Sequence, residues 1–539
     1  MRALPSSFRA GDRGGAFIVL RRDEDLCRMV KRGSEVSMSQ PAADALPVTY
    51  RHAKTLSPSG APPTDAPAWI QAVDNPYLHG LYAPTTREVT TGPLPVEGEL
   101  PRDLFGAYFR NGPNSAYAPI NRYHWFDGDG MVHGIWFENG EARYANRWVG
   151  TRGRLAEQDK GDTIWGGVLG PFDFSLPGGP LKDTANTDVI TLNGKLYALW
   201  YESGKLYELD PNTLDTLGVE AFEGNLKRRV SAHSKTCPHT GDFVYFSYGD
   251  RPPYMRYGVV GAGGRFHQVD ITLPGPRRPH DIGVTPNHSV LHDFPMFFDP
   301  ELFKATGKRI PVFHREVPTR FGVIPRWGCD ADVRWFEFEP CYMLHVVNCW
   351  EEGDTVVMIG CRTDDPTLRP DRRDGRIAAM LSGIKLQARL YRWTMNLATG
   401  ETTEAPLDDL NAEFPMVHDG KLGVKNRYSY HQIIPYEIPA AFHGIARYDL
   451  ETGAATTVSY GEGVFGSESP FAPAADAGPD SAEDDGYLVT FVTDRSDWSS
   501  ACWVYRADDI ARGPVAKVGL PIRVPAGFHA TWMPGAELV

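Results

Sequence analysis

Leu206-Tyr-Glu-Leu-Asp210, followed by Pro-Asn-Thr213, sets a pattern that returns twice. It recurs as Leu390-Tyr-Arg-Trp393 leading to Asn396-Leu-Ala-Thr-Gly400, and as Ile445-Ala-Arg-Tyr-Asp449 leading to Glu451-Thr-Gly453. Each is a short alternating strand running into a tight turn whose Asn or Gly tolerates φ > 0. Similar units at irregular spacings of about 50 residues are what propeller blades leave in a sequence. An array of β-sandwiches would leave comparable turns, so the repeat alone leaves both architectures open.

The composition agrees with an all-β chain. The 539 residues include 55 glycines and 44 prolines, a density that implies many turns and short strands rather than long helices. Two helical patterns stand out. Pro300 to Gly307 reads as a short helix, and Arg376 to Tyr391 carries Ile377, Met380, Leu381 and Ile384 at i, i+3, i+4 and i+7 beside several basic residues. That stripe reads either as a cap helix on the propeller or as an amphipathic patch making peripheral membrane contact.

A formal charge of −13 argues against a nucleic-acid partner. No apolar run approaches the roughly 18 residues of a membrane span, and Ala16 to Leu20 is too short for a signal-peptide core. Seven cysteines without a CxxC pair read as reduced thiols of a cytoplasmic protein and exclude a zinc ribbon. Residues 1–45 read as a disordered leader, with Met38 an alternative start. Residues 46–539 read as one domain, opening with an irregular arm from Val48 to Pro76.

Four of the sixteen histidines stand in strand-like contexts beside small or apolar residues: His233, His280, His345 and His529. Their wide separation fits one ligand from each of several blades converging on an axis. A lone strand histidine is more often a satisfied core residue, and the residues alone do not choose these four.

A family resemblance does. Phe109-Arg-Asn-Gly-Pro113 and His124-Trp-Phe-Asp-Gly-Asp-Gly-Met131 resemble the N-terminal signature of the carotenoid cleavage oxygenases. Ala232-His-Ser-Lys235, His280-Asp-Ile-Gly-Val-Thr285, His345-Val-Val-Asn348 with Glu351-Glu352, and Phe528-His529 resemble its four histidine motifs in order, and Glu483-Asp-Asp-Gly-Tyr487 matches a turn found there. The resemblance runs from about Asn75 to the C-terminus. It implies a seven-bladed β-propeller with a helical and loop cap over the active-site face. It also implies a non-haem Fe(2+) held by His233, His280, His345 and His529. Neutral imidazoles suit Fe(II), and four of them leave up to two octahedral positions open. They also leave the +2 charge uncompensated, so carboxylates behind them are expected to orient the ring N–H groups. The family's three glutamates map onto Glu202, Glu413 and Glu468, with a bulge expected before Glu202 and no glutamate obvious for His280. Thr187 matches a threonine near the open site in relatives.

The reaction implied is O2-dependent cleavage of a C=C bond in an apolar conjugated substrate, giving two carbonyl products. Relatives divide between carotenoid or apocarotenoid substrates and 4-hydroxystilbenes. Phenol cleavers pair a tyrosine near the signature with a lysine about thirty residues on. Tyr123 is present, but the lysine's place falls near Gly153, and the flanking Arg152 and Arg154 stay protonated. This tilts the reading to apocarotenoids. A non-cleaving isomerase or retinoid-like ligand-binding propeller is the other class; loss of a histidine or glutamate would favour it, and none is lost. Three look-alikes are set aside: Asp127-Gly-Asp129-Gly as a calcium loop, Gly258 to Gly264 as a phosphate loop, and the His288/His292 pair as a helical metal site.

Overall fold

The computed structural model describes residues 63–538 except 228, 307–310, 368–385, 436–439 and 479. The expected leader, Met38 and the apolar stripe from Ile377 to Ile384 lie outside the described residues. The far end of that segment is not helical, because Arg389–Asn396 is a strand. Tyr391, Trp393 and Met395 are buried at a period of two, and pairing with Thr355–Thr363 decides the conformation there. Pro300–Thr306 is the short α-helix expected.

The strands form a seven-bladed β-propeller. Five blades follow one another as four-stranded antiparallel sheets, with innermost strands Asp188–Leu192, Lys235–Thr236, Gly283–Val284, Tyr342–Glu352 and Ala412–Met416. The sixth starts at Phe471–Pro473 and takes Val96–Gly98 from the N-terminal side as its outer strand. The seventh is built from Gly106–Asn114, Asp129–Glu138 and Glu141–Trp148, and its innermost strand is Ala530–Pro534 from the C-terminus. Both chain ends therefore close the ring. Among the described residues no helix is long and apolar enough to cross a membrane.

The repeated turn has one physical cause. In each copy an Asp or Asn side chain accepts from the backbone two and three residues on: Asp210 from Asn212 and Thr213, Asn396 from Ala398 and Thr399, Asp449 from Glu451 and Thr452. The fifth residue then takes a left-handed conformation, as Gly400 at φ +84°, Gly453 at φ +73° and Leu214 at φ +66°. Asp494 to Trp498 is a fourth copy, which lacks the glycine and so escaped the sequence pattern. Gly258 to Gly264 is the hairpin expected between Met255–Val260 and Phe266–Ile271, and His288 and His292 lie on one strand.

Blades pack face to face, so middle strands such as Gly486–Asp494 are buried on both sides. Trp532, on the closing strand, is 2% exposed and stacks on Phe137 at 6.1 Å. Trp532→Ala is expected to cost about 3–5 kcal/mol by opening a cavity in the closing blade. Chemical denaturation of the variant reads this directly, and an unchanged midpoint would show that closure does not depend on that contact.

Candidate metal centre

The start of every innermost strand brings one polar residue to the axis. Asp188 opens its strand, His233 and His280 lie just before theirs, and His345 and Glu413 lie within the first turn of pleat of theirs. Glu468 precedes Phe471–Pro473, and His529 precedes Ala530–Pro534. Ring closure thus places seven distant chain positions at one level.

The four histidines meet there. One ring nitrogen from each lies within 4.8 Å of all the others. Ring centroids are 4.6 Å apart for His233–His280, 4.5 Å for His233–His529 and 4.7 Å for His345–His529. With metal–imidazole bonds of about 2 Å, that spread spans a single ion. Nε2 of His233 and of His345 are buried with no hydrogen-bond partner, an arrangement that costs free energy unless a cation takes the lone pairs. Burial, reinforced by the neighbouring imidazoles, holds His233, His280 and His345 well below the ordinary histidine pKa. They are therefore neutral and able to ligate. The donor set fits a borderline metal such as Fe(II).

Two of the three glutamates stand behind these rings. Glu413 Oε2 lies 2.5 Å from His345 Nδ1 and also accepts from Phe414 N–H at 2.7 Å. Glu468 lies 3.1 Å from His529 Nδ1 and accepts from Ala530 N–H. A carboxylate on Nδ1 fixes the proton there and frees Nε2 for a metal. Burial raises both carboxyl groups, Glu413 to about 8. Glu202 sits differently. The strand Lys195–Leu199 pairs without a bulge, and Glu202 falls in the turn after it, next to Ser203 at φ +67°. Its carboxylate accepts two bonds from the Arg278 guanidinium at 2.9 and 3.0 Å, two residues before His280. The Tyr201 ring lies 6.3 Å from that of His280.

Thr187 is buried. Its hydroxyl donates to Asn186 and accepts from Tyr201 N–H, and its carbonyl accepts from His529 N–H at 3.2 Å. Sequence reasoning missed two aspartates. Asp188 accepts from His233 N–H at 2.9 Å, which anchors that residue at φ +64°. Asp281 accepts from Val346 N–H and from Lys235 Nζ, so it ties the His280, His345 and His233 strands together. Both directly follow a residue already singled out, Thr187 and His280, and that adjacency was the available signal.

Above the histidines lies an apolar cap containing Trp125, Phe126, Phe414, Phe442 and Phe528. Phe126 lies 5.0 Å from Tyr201 and 5.3 Å from Phe528. The phenol-site residues are also placed. Tyr123 is buried beside Asp127 and Asp129, and burial with these charges pushes its hydroxyl well above the ordinary value. Gly153 has no room for a side chain, because a Cβ there would lie 2.3 Å from Cγ of Lys182.

The family model described as retinal pigment epithelial membrane protein matches residues 82–534. The chain belongs to this family, the carotenoid cleavage oxygenases. It is 36% identical over 500 residues to a carotenoid 9,10(9',10')-cleavage dioxygenase 1 of Phaseolus vulgaris, covering 86% of this chain and 90% of that one. Among solved structures, it resembles the lignostilbene dioxygenase of Pseudomonas brassicacearum with a TM-score of 0.75 at 28% identity, covering 86% of this chain and 99% of the other. A variant of the Synechocystis apocarotenoid oxygenase gives 0.74 at 26% identity, with 84% and 97% covered.

Glu413→Gln and Glu468→Gln are each expected to weaken metal binding about 10–100-fold with the fold intact. His345→Ala is expected to lose binding at one ion per chain. Titration of metal-free protein with Co(II) measures all three, and unchanged binding in His345→Ala would remove that residue from the site.

Proposed function

We propose that this chain is an oxygenase that uses Fe(II) and O2 to split a C=C bond of a carotenoid or apocarotenoid into two carbonyl products. The observation that carries the reading is the cluster of four imidazoles under an aromatic cap, with the Nε2 atoms of His233 and His345 buried and unpartnered. His233, His280, His345 and His529 would hold the iron, which when bound supplies the redox chemistry that lets O2 react with an alkene.

The chain's own part is to bind, orient and exclude water. The rings of Phe126, Tyr201 and Phe528 offer a conjugated rod an apolar bed beside the metal. Phe414 stacks on His529 at 4.8 Å and lies 5.0 Å from His345, which shields those two ligands from water. Glu413 and Glu468 keep the Nδ1 protons of His345 and His529 in place. Thr187 holds the backbone of His529 and packs at the level of the ligands. Glu202, through Arg278, positions the segment that leads into His280.

Cleavage of a 4-hydroxystilbene is the second reading, and one observation speaks for it. Lys182 covers Gly153 and lines the same small cavity as Tyr123, so a lysine does stand near the place where the phenol cleavers carry one. Its ammonium, however, contacts Asp129 Oδ1 at 2.7 Å and Glu157 Oε2 at 2.6 Å. Burial alone would depress it, but the two carboxylates overcome that and hold it above the ordinary lysine value. A lysine so neutralised does not take a phenol's proton, and Tyr123 with its raised pKa does not either.

The test is incubation of iron-loaded protein in air with an apocarotenal and with a 4-hydroxystilbene, products being read by mass spectrometry. Aldehydes from the polyene alone are expected. Aldehydes from the stilbene alone would overturn the substrate reading.

A further inference from the structure

The axis below the histidines is as polar as the cap is apolar. A cavity of ≈590 Å³ runs there, lined by His233, His345 and His529 at its inner end and by Asn193, Asp419 and Glu537 at its outer end. The last three are exposed, so the cavity opens to solvent. Asp188, at the metal end of the Asp188–Leu192 strand, is separated from Asn193 by about 16 Å of extended chain.

The charges along this passage are one-sided. Asp419 and Glu537 stand at the mouth, while Asp188, Asp281 and Glu468 line the depth. The lining cation is Lys235, whose Nζ is paired to Asp281 Oδ1 at 2.5 Å. A second, independent feature points to a cation. His233 and His345, only 7% and 4% exposed, line the same cavity and leave their Nε2 atoms without partners.

We propose that this acid-lined passage is the route by which the metal ion reaches the four histidines, with Asp419 and Glu537 as its capture site. The inference rests on the reading of the histidines as a metal centre. A hydrated divalent ion keeps about six waters, each taking about 30 Å³ in the liquid, and the cavity accommodates it without early dehydration. Entry through the cap would instead carry a +2 charge past the rings of Trp125, Phe126 and Phe528, at a desolvation cost that the acid-lined axis lowers. A low-dielectric channel lined by one sign of charge focuses the field and raises the local cation concentration and the on-rate. The two ends of the axis thus divide the traffic: apolar substrate from the cap, metal ion from the opposite mouth.

The test is stopped-flow uptake of Co(II) by metal-free full-length protein, followed by cobalt absorbance, alongside equilibrium stoichiometry. Asp419→Asn/Glu537→Gln is expected to slow uptake about threefold to tenfold at low salt. The charge-reversed Asp419→Lys/Glu537→Lys should slow it further and invert the salt dependence. Both should still bind one ion per chain with unchanged affinity. Asp159→Asn/Asp162→Asn, which removes two exposed acids by the Arg152–Lys160 helix, should load at the wild-type rate. Equal uptake rates in all variants, with binding at one per chain, would overturn the route and leave the metal centre standing. Failure of the wild-type chain to bind Co(II) at one per chain would overturn both.

Discussion

The pairing of Ala530–Pro534 with Gly106–Arg110 is the constraint from which the site follows. His529 directly precedes that C-terminal strand, and it reaches the His233 ring only when the strand has entered the seventh blade. Four ligands drawn from across the chain are therefore not assembled locally. They are fixed by a ring that either closes or does not. Closure has a long-range entropic cost that grows only slowly with loop length, and the fully buried strands of the blades, with Trp532 at the join, supply the compensation.

Once closed, the ring orients each ligand by a different device. His345 and His529 are backed on Nδ1 by acids from adjacent blades, Glu413 from the following one and Glu468 from the preceding one. His233 is held through its main chain by Asp188 in a left-handed conformation that a β-region strand residue would not adopt unaided. The segment ahead of His280 is gripped by the Arg278–Glu202 pair and, after it, by Asp281. Rigid placement before metal binding keeps the ordering cost of the imidazoles out of the binding step.

Much of the fold was legible because its turns are local. Asp449 and Asn396 close their hairpins with their own side chains, so the chemistry of each turn is written within five residues. The far end of the expected helix, Arg389 to Tyr391, is instead a strand because a strand's pairing is not local, and Thr355–Thr363 lies well upstream. At the site, the motifs singled out the histidines that meet on the axis and the acids Glu413 and Glu468 beside them, but not what each touches. The absence of a lysine at position 153 was legible; that Lys182 fills the space above Gly153 was not, because that contact crosses from another loop.

The lysine illustrates why composition at a position is a weak guide to chemistry. An ammonium in a phenol site acts as a base or a charge partner only if its charge is not already answered. Here Asp129, on the strand that follows the Trp125–Asp127 turn, and Glu157, on the Arg152–Lys160 helix, converge on one nitrogen. That buried triad joins the helix to the seventh blade, a structural role that absorbs the charge. The same arithmetic governs the axis. Four imidazoles would bring no negative charge to an ion, and Glu413, Glu468, Asp188 and Asp281 stand one layer out, where they hold the rings and strands. An acid moved into direct contact would compensate an ion's charge more strongly, but it would fill space beside the four imidazoles that the proposed reaction would use.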